Sequence, residues 1–187
     1  MTSQGFGSWR HLAARFYGAL SPAGPEPADE AWALAALVPG EQELWHRMSG
    51  PDRRHAVGVA RDTIVLLEPD EVPREVIAAA LLHDVGKVES SFGTFSRVGV
   101  TLAALAVGRS RLVRWAERPA AGATRTKSSL RGRVGLYLTH DHLGADLLQA
   151  AGSGDLTVSW ADQHHWDTDR WTVDARIGAA LKAADGD

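Results

Sequence analysis

Along this chain apolar residues recur at intervals of three and four, the spacing of one helix face, and show no convincing one-by-one alternation of the kind a strand needs. A first pattern of this kind surrounds Trp9 to Leu20. Three prolines and a glycine within Ser21 to Pro27 interrupt it and read as a linker. From Ala28 to Ser49 the spacing resumes, broken by Pro39-Gly40, which predicts two short helices joined by a turn. Asp52 to Leu67 predicts a longer helix, with Pro51 suited to its entry and His55, Val59 and Leu66 sharing one face.

Glu68-Pro69-Asp70-Glu71 reads as a turn, and Pro73 fits the first position of a helix running to about Asp84, with Val76, Ala80 and His83 as its inward stripe. Gly86 is expected to end that helix through its conformational freedom, leaving Lys87 just beyond the terminus. An apolar helix-like run from Phe95 to Trp115 follows, then a Pro/Gly/Thr-rich loop from Pro119 to Lys127 and a return through Leu130 to Thr139. Further helices are expected from His140 to Ala150, from Leu156 to His165 with Asp155 as its cap, and from about Val173 to Ala184 with Asp185 at its end. No internal repeat is present, so the expected fold is an all-α, single-domain helical bundle.

Composition supports one ordinary globular domain: 187 residues, 44% apolar and 23% charged. Residues 1–50 are read as N-terminal helices packing on the core and residues 51–187 as the main domain, with a basic helical insertion at about 88–135. The chain has no cysteine, which excludes disulfides, thiolate-bound zinc and thiol catalysis, and suits a reducing cytoplasm. Met1 to Arg10 lacks the basic start and apolar run of a secretory signal. The longest uncharged apolar stretch, within Val98 to Gly108, is about half of the roughly 20 residues a membrane-spanning helix needs. The net charge of -3 hides an asymmetry, because residues 88–135 carry nine Arg or Lys against two Glu.

Candidate chemistry centres on His83-Asp84 at a helix end, where an imidazole and a carboxylate can bind one cation jointly and the carboxylate can bridge to a second. A lone His-Asp pair carries little. It gains weight from His55 on the preceding helix, the adjacent pair His164-His165 and the late carboxylate Asp185, although each alone is more commonly a core histidine or a solvated acid. In His140-Asp141-His142 either histidine can be the ligand. His140 shares a helical face with Gly144 and Leu147, whereas His142 points about 200 degrees away.

In this order the residues resemble the HD superfamily of metal-dependent phosphohydrolases, over roughly Pro51 to the C-terminus. The core of the resemblance is His55, His83-Asp84 and Asp185. An extended part, similar to the HD-GYP branch, comprises His83-Asp84-Val85-Gly86-Lys87, then His140 four residues before Gly144-Ala145, then His164-His165. That register selects His140 over His142. The resemblance implies an HD-type bundle holding divalent metal ions, two of them, with Mn, Fe or Ni favoured over Mg by the histidine-rich ligand set. His55, His83, Asp84 and Asp185 would hold one ion, and His140, His164 and His165 a second, with Asp84 as the bridge. It implies hydrolysis of a phosphomonoester or phosphodiester, such as a nucleotide, by metal-activated water without a covalent intermediate. Asp84 and Lys87 are then the catalytic pair, Lys87 steadying a substrate phosphate.

Two departures narrow the expectation. After His165 the chain reads Trp166-Asp167-Thr168-Asp169-Arg170-Trp171, without the Gly-Tyr-Pro loop of that branch, which removes the main support for cyclic di-GMP as substrate. The position one turn before His55, a further ligand in some relatives, is Pro51, which argues for two metals rather than three. The basic stretch has its own readings: a solvated helical hairpin packing Val98, Leu102, Leu105 and Leu112 on the core, an electropositive lid over a phosphate, or a peripheral anionic-lipid surface around Arg109, Arg111, Arg114 and Arg118. A nucleic-acid surface ranks last, since only Trp115 is there to stack on bases. The rival to an enzyme is a nucleotide-sensing or regulatory binding module that keeps the metal site and uses the basic stretch as its working surface.

Overall fold

Prolines start the first two helices. Pro27 opens α1 (Pro27–Ala36) and Pro39 opens α2 (Pro39–Arg47), where a missing N–H costs nothing because the first turn leaves its donors unpaired. The Glu41 carboxylate closes back on the Val38 amide at 2.9 Å, and Trp45 Nε1 donates to Glu30 at 3.0 Å, tying α2 to α1. The computed structural model describes residues 23–68, 72–90 and 140–186 and isolated positions between 108 and 134. The helix expected around Trp9 to Leu20 and nearly all of the basic stretch 88–135 lie outside the described residues.

The long helix α3 (Gly50–Leu67) begins two residues earlier than the apolar pattern suggests, because the Ser49 side chain accepts from the Asp52 amide and caps it, with Pro51 inside the first turn. Then come α4 (Arg74–Leu82), a 3-10 turn over Val85–Ser90, α5 (His140–Ala150), α6 (Asp155–Gln163), a short 3-10 turn over Thr168–Arg170 and α7 (Ala175–Asp185). Asp155 is the first residue of α6 rather than its cap, a position filled by Gly154. Asp174 caps α7 through bonds from the Arg176 and Ile177 amides, and Gly186 ends it at φ 78°, a left-handed conformation that favours glycine.

Among the described residues every regular element is helical, in an all-α, single-domain bundle. The helix α3 packs between α4 and α7, α6 packs on α4 and α5, and α5 lies along the 3-10 turn that follows α4. Ala56, Ala60, Ala78, Ala79, Ala80 and Ala161 are completely buried, and these small side chains let the helices approach closely. Trp45, Leu81, Leu82, Leu148 and Leu181 fill the remaining space, each worth about 1.5–3 kcal/mol on removal from water. Leu37, Leu44, Trp45 and Met48 belong to this same core, so α1 and α2 are part of the domain body. The stripe expected on α3 is covered only as far as Thr63, and Leu66 near the end of the helix is half exposed. No helix among the described residues is long and apolar enough to cross a membrane.

One contact fixes the centre of the molecule. A Cβ on Gly86 would lie 1.8 Å from the His140 carbonyl oxygen and 2.7 Å from the Gly144 amide nitrogen, both backbone atoms. Gly86 has no positive φ, so the expectation that it serves by conformational freedom is wrong: glycine is required because the 3-10 turn touches α5 backbone to backbone.

Candidate metal centre

The Gly86 contact carries the end of α4 to the start of α5. His83 follows the last residue of α4 with Val76 and Ala80 on its buried stripe, and Asp84 begins the turn beyond it. His55 comes from α3, His140 opens α5, His164 and His165 follow α6, and Asp185 is the last residue of α7. Five helices thus deliver all seven residues read as ligands to one place. Six of them fall into two groups, His55, His83 and Asp185 in one and His140, His164 and His165 in the other, with candidate ligating atoms in each group within 4.8 Å of one another.

Asp84 lies between the groups, and its two oxygens face different ways. Oδ1 is 3.2 Å from His140 Nε2, while Oδ2 is 3.5 Å from His83 Nε2 and bears the Lys87 ammonium. Burial would raise the Asp84 carboxyl, but Lys87, followed by His83 and His140, holds it well below the usual carboxylate range. Asp185 behaves alike: burial raises it, and the hydrogen bond with His55 plus the nearby His83 hold it low. Both carboxylates are therefore ionised acceptors at neutral pH.

The histidines are set by what their other nitrogens do. His83 Nδ1 is 2.8 Å from the Ala80 carbonyl, and His164 Nδ1 is 3.0 Å from that of Ala161. A carbonyl only accepts, so each Nδ1 is the protonated nitrogen and each Nε2 keeps its lone pair. These two Nε2 atoms are buried and accept no hydrogen bond among the described residues, at a cost of about 1–3 kcal/mol each. Lone pairs held in that way, five imidazoles and two ionised carboxylates fit divalent transition-metal ions, which these residues can hold as two neighbouring sites. Pro51, in the first turn of α3, offers no further ligand.

His140 and His142 separate as the helical phase requires. The His140 side chain is 6% exposed and faces Asp84, whereas His142 is 65% exposed and pairs with Asp162 on the outer surface. Asp141 went unrecognised in the sequence. Its buried carboxylate lies 3.5 Å from His140 Nδ1, on the side of the ring away from Asp84, where it favours the orientation that aims Nε2 inward. The only signal for it was an acid in the first turn of a helix that opens on a histidine.

Burial, together with the neighbouring His83 and His165, pushes the His164 imidazole down to about 3. The folded protein thus keeps His164 neutral down to that pH, whereas the unfolded chain protonates it near 6.5. Stability is full above about pH 6.5 and is lost as pH falls towards 3, by up to about 1.4 kcal/mol per unit. Asp84 and Asp185 add their own loss only below about pH 4, where the unfolded carboxylates titrate. The melting temperature of chelator-treated protein is expected to fall by about 4–8 °C from pH 6.5 to 5. In His164→Gln that slope should flatten; an equal slope in both proteins would refute the assignment.

Neither models of known protein families, nor curated proteins, nor solved structures contain a match to the chain.

Proposed function

We propose that the chain is a metal-dependent phosphohydrolase of the HD type, acting on a nucleotide or a related phosphomonoester or phosphodiester. The observation that carries this reading is Asp84, an ionised carboxylate turned by one oxygen to each of two adjacent ligand groups. The residues of these two groups would hold divalent cations, and such ions would supply a more acidic water for attack on phosphorus and neutralise charge on the phosphoryl oxygens. The chain's own part is positioning. His83 and His164 present fixed lone pairs, Asp84 holds the two groups in register, and Lys87 places an ammonium at the rim of the site, where it can meet a phosphate oxygen. His55 and the more open His165 mark the solvent side, from which a small phosphorylated substrate can enter. Mn, Fe or Ni suits five imidazoles better than Mg does. A chain without cysteine is compatible with a cytoplasmic setting.

The purified protein loaded with Mn2+ or Fe2+ is expected to release phosphate from, or cleave, at least one member of a panel of nucleoside monophosphates, cyclic nucleotides and chromogenic phosphoesters. The chelator-treated protein should be inactive and recover on readdition of metal. Metal uptake without turnover of any ester would overturn the hydrolase reading in favour of a metal-containing binding module.

A further inference from the structure

After His165 the chain runs through Trp166-Asp167-Thr168-Asp169-Arg170-Trp171-Thr172, a loop to which the proposed chemistry gives no role. One residue of α6 holds both of its ends. The Gln163 side chain donates to Thr172 Oγ1 at 2.8 Å and accepts from the Thr172 amide at 2.7 Å. The Gln163 carbonyl accepts from the Trp166 amide at 2.8 Å and from Trp171 Nε1 at 3.1 Å. Trp171 in turn packs edge-on against Trp160, with ring centres 5.3 Å apart, and so closely on α7 that a Cβ at Gly178 would lie 2.7 Å from its ring. Inside the loop the Arg170 amide donates to the Asp167 carbonyl at 3.0 Å and closes the 3-10 turn. The loop is thus a fixed structure, joined directly to His165, the exposed member of the candidate ligands.

Arg170 is used differently from the other arginines of residues 23–68, 72–90 and 140–186. The guanidinium groups of Arg47, Arg53, Arg61 and Arg74 donate to carboxylates, and those of Arg54 and Arg176 donate to backbone carbonyls. The Arg170 guanidinium instead lies over the Trp166 ring, 4.8 Å from its centre, although Asp167 and Asp169 are exposed in the same turn. A guanidinium on an indole makes a flat surface on which a second planar group can stack. The charge of the turn decides what kind of group that is. Two exposed carboxylates, Asp167 and Asp169, against one guanidinium leave the turn negative, which disfavours a further phosphate and suits an uncharged ring.

Resting on the phosphohydrolase reading above, we propose that Trp166 and Arg170 form a platform on which the base of a nucleotide stacks while its phosphate meets the metal centre beside His165. The substrate class is then a nucleotide carrying one phosphate group rather than a simple sugar phosphate. Stacking tolerates base identity, because every base has a π-face, so the platform selects nucleotides as a class and not one base. The bonds from Gln163 set the loop in place before the substrate arrives, so little ordering is left to oppose binding. Stacking of one base on such a surface gives on the order of fivefold to a hundredfold in affinity.

The test compares the 5′-monophosphates of adenosine, guanosine, cytidine and uridine with ribose 5-phosphate, on the full chain loaded with Mn2+. Binding is read by rapid mixing ahead of any turnover, from quenching of indole emission and from displacement by ribose 5-phosphate. All four nucleotides are expected to bind at least about fivefold more tightly than the sugar phosphate. In Arg170→Ala that ratio should collapse towards one, with the melting temperature unchanged because the side chain is exposed. Arg170→Lys, which keeps the charge without the flat surface, should not restore it. Trp166→Leu should abolish the ratio as Arg170→Ala does. Equal affinity for nucleotides and ribose 5-phosphate, no nucleotide binding at all, or an undiminished ratio in Arg170→Ala would overturn the proposal. Discrimination in a protein that hydrolyses no ester would sink the hydrolase reading alone. Hydrolysis of nucleotide and sugar phosphate with the same KM would sink the platform alone.

Discussion

Replacing Asp84 with asparagine is expected to reduce phosphoester turnover at least about a thousandfold while leaving a folded helical protein. The substitution keeps the shape of the side chain and removes the charge that faces His140, His83 and Lys87 together. An ion at a hydrolytic centre contributes several kcal/mol of transition-state stabilisation, and each 1.4 kcal/mol or so is a factor of ten. Metal content distinguishes this from a general defect. Each of the two groups should still bind an ion more weakly through its own three ligands, so loss of rate should exceed loss of metal. Turnover within a few-fold of the wild type in Asp84→Asn would remove Asp84 from the chemistry.

Gly86→Ala is expected to be the most disruptive added methyl among the described glycines. Its Cβ would lie 1.8 Å from one backbone atom and under 3 Å from two more, and backbone cannot rotate aside as a side chain can. The 3-10 turn must therefore lift away from α5, at a cost of about 3 kcal/mol or more, which is about 6–12 °C of melting temperature for a chain of this size. Because His83 and Asp84 sit just before that turn and His140 opens α5, the separation also pulls the two ligand groups apart, so metal binding should fall with stability. Gly144→Ala is the comparison. Its Cβ would meet the Gly86 amide nitrogen at 3.2 Å and other atoms no closer than 3.5 Å, so it should cost about 1 kcal/mol and leave metal uptake nearly intact. Equal melting temperatures for the two variants would refute this account of Gly86.

The helical character of the fold was legible because periodicity is a property of the sequence: on α3 Ala56, Val59, Ala60 and Thr63 are buried while Arg61, Asp62 and Val65 are exposed. The inward placing of His140 and the outward placing of His142 were legible for the same reason, since positions two apart on a helix face opposite ways. What could not be read were contacts between segments distant in sequence. The glycine at position 86 is visible in the sequence, but the reason for it is the carbonyl of His140, 54 positions later. The Asp141 carboxylate beside the His140 ring, the division of six candidate ligands into two groups with Asp84 between them, and the pairing of His55 with Asp185 depend likewise on how helices dock. Leu66 shows the limit of periodicity itself, which tells which face a residue is on but not whether a neighbour extends far enough to cover it.

The bond between His55 and Asp185 joins positions 130 residues apart, and Asp185 stands in the final turn of α7, directly before Gly186. Final turns of helices open and reclose more readily than their middles. A cation ligated there would be held by a hinged latch: each fraying of that turn would withdraw one oxygen while His55 and His83 stay in place. Amide exchange at the end of α7 and dissociation of an ion bound through Asp185 should then share one rate-determining opening, which would make the last helical turn a kinetic gate as well as a structural terminus.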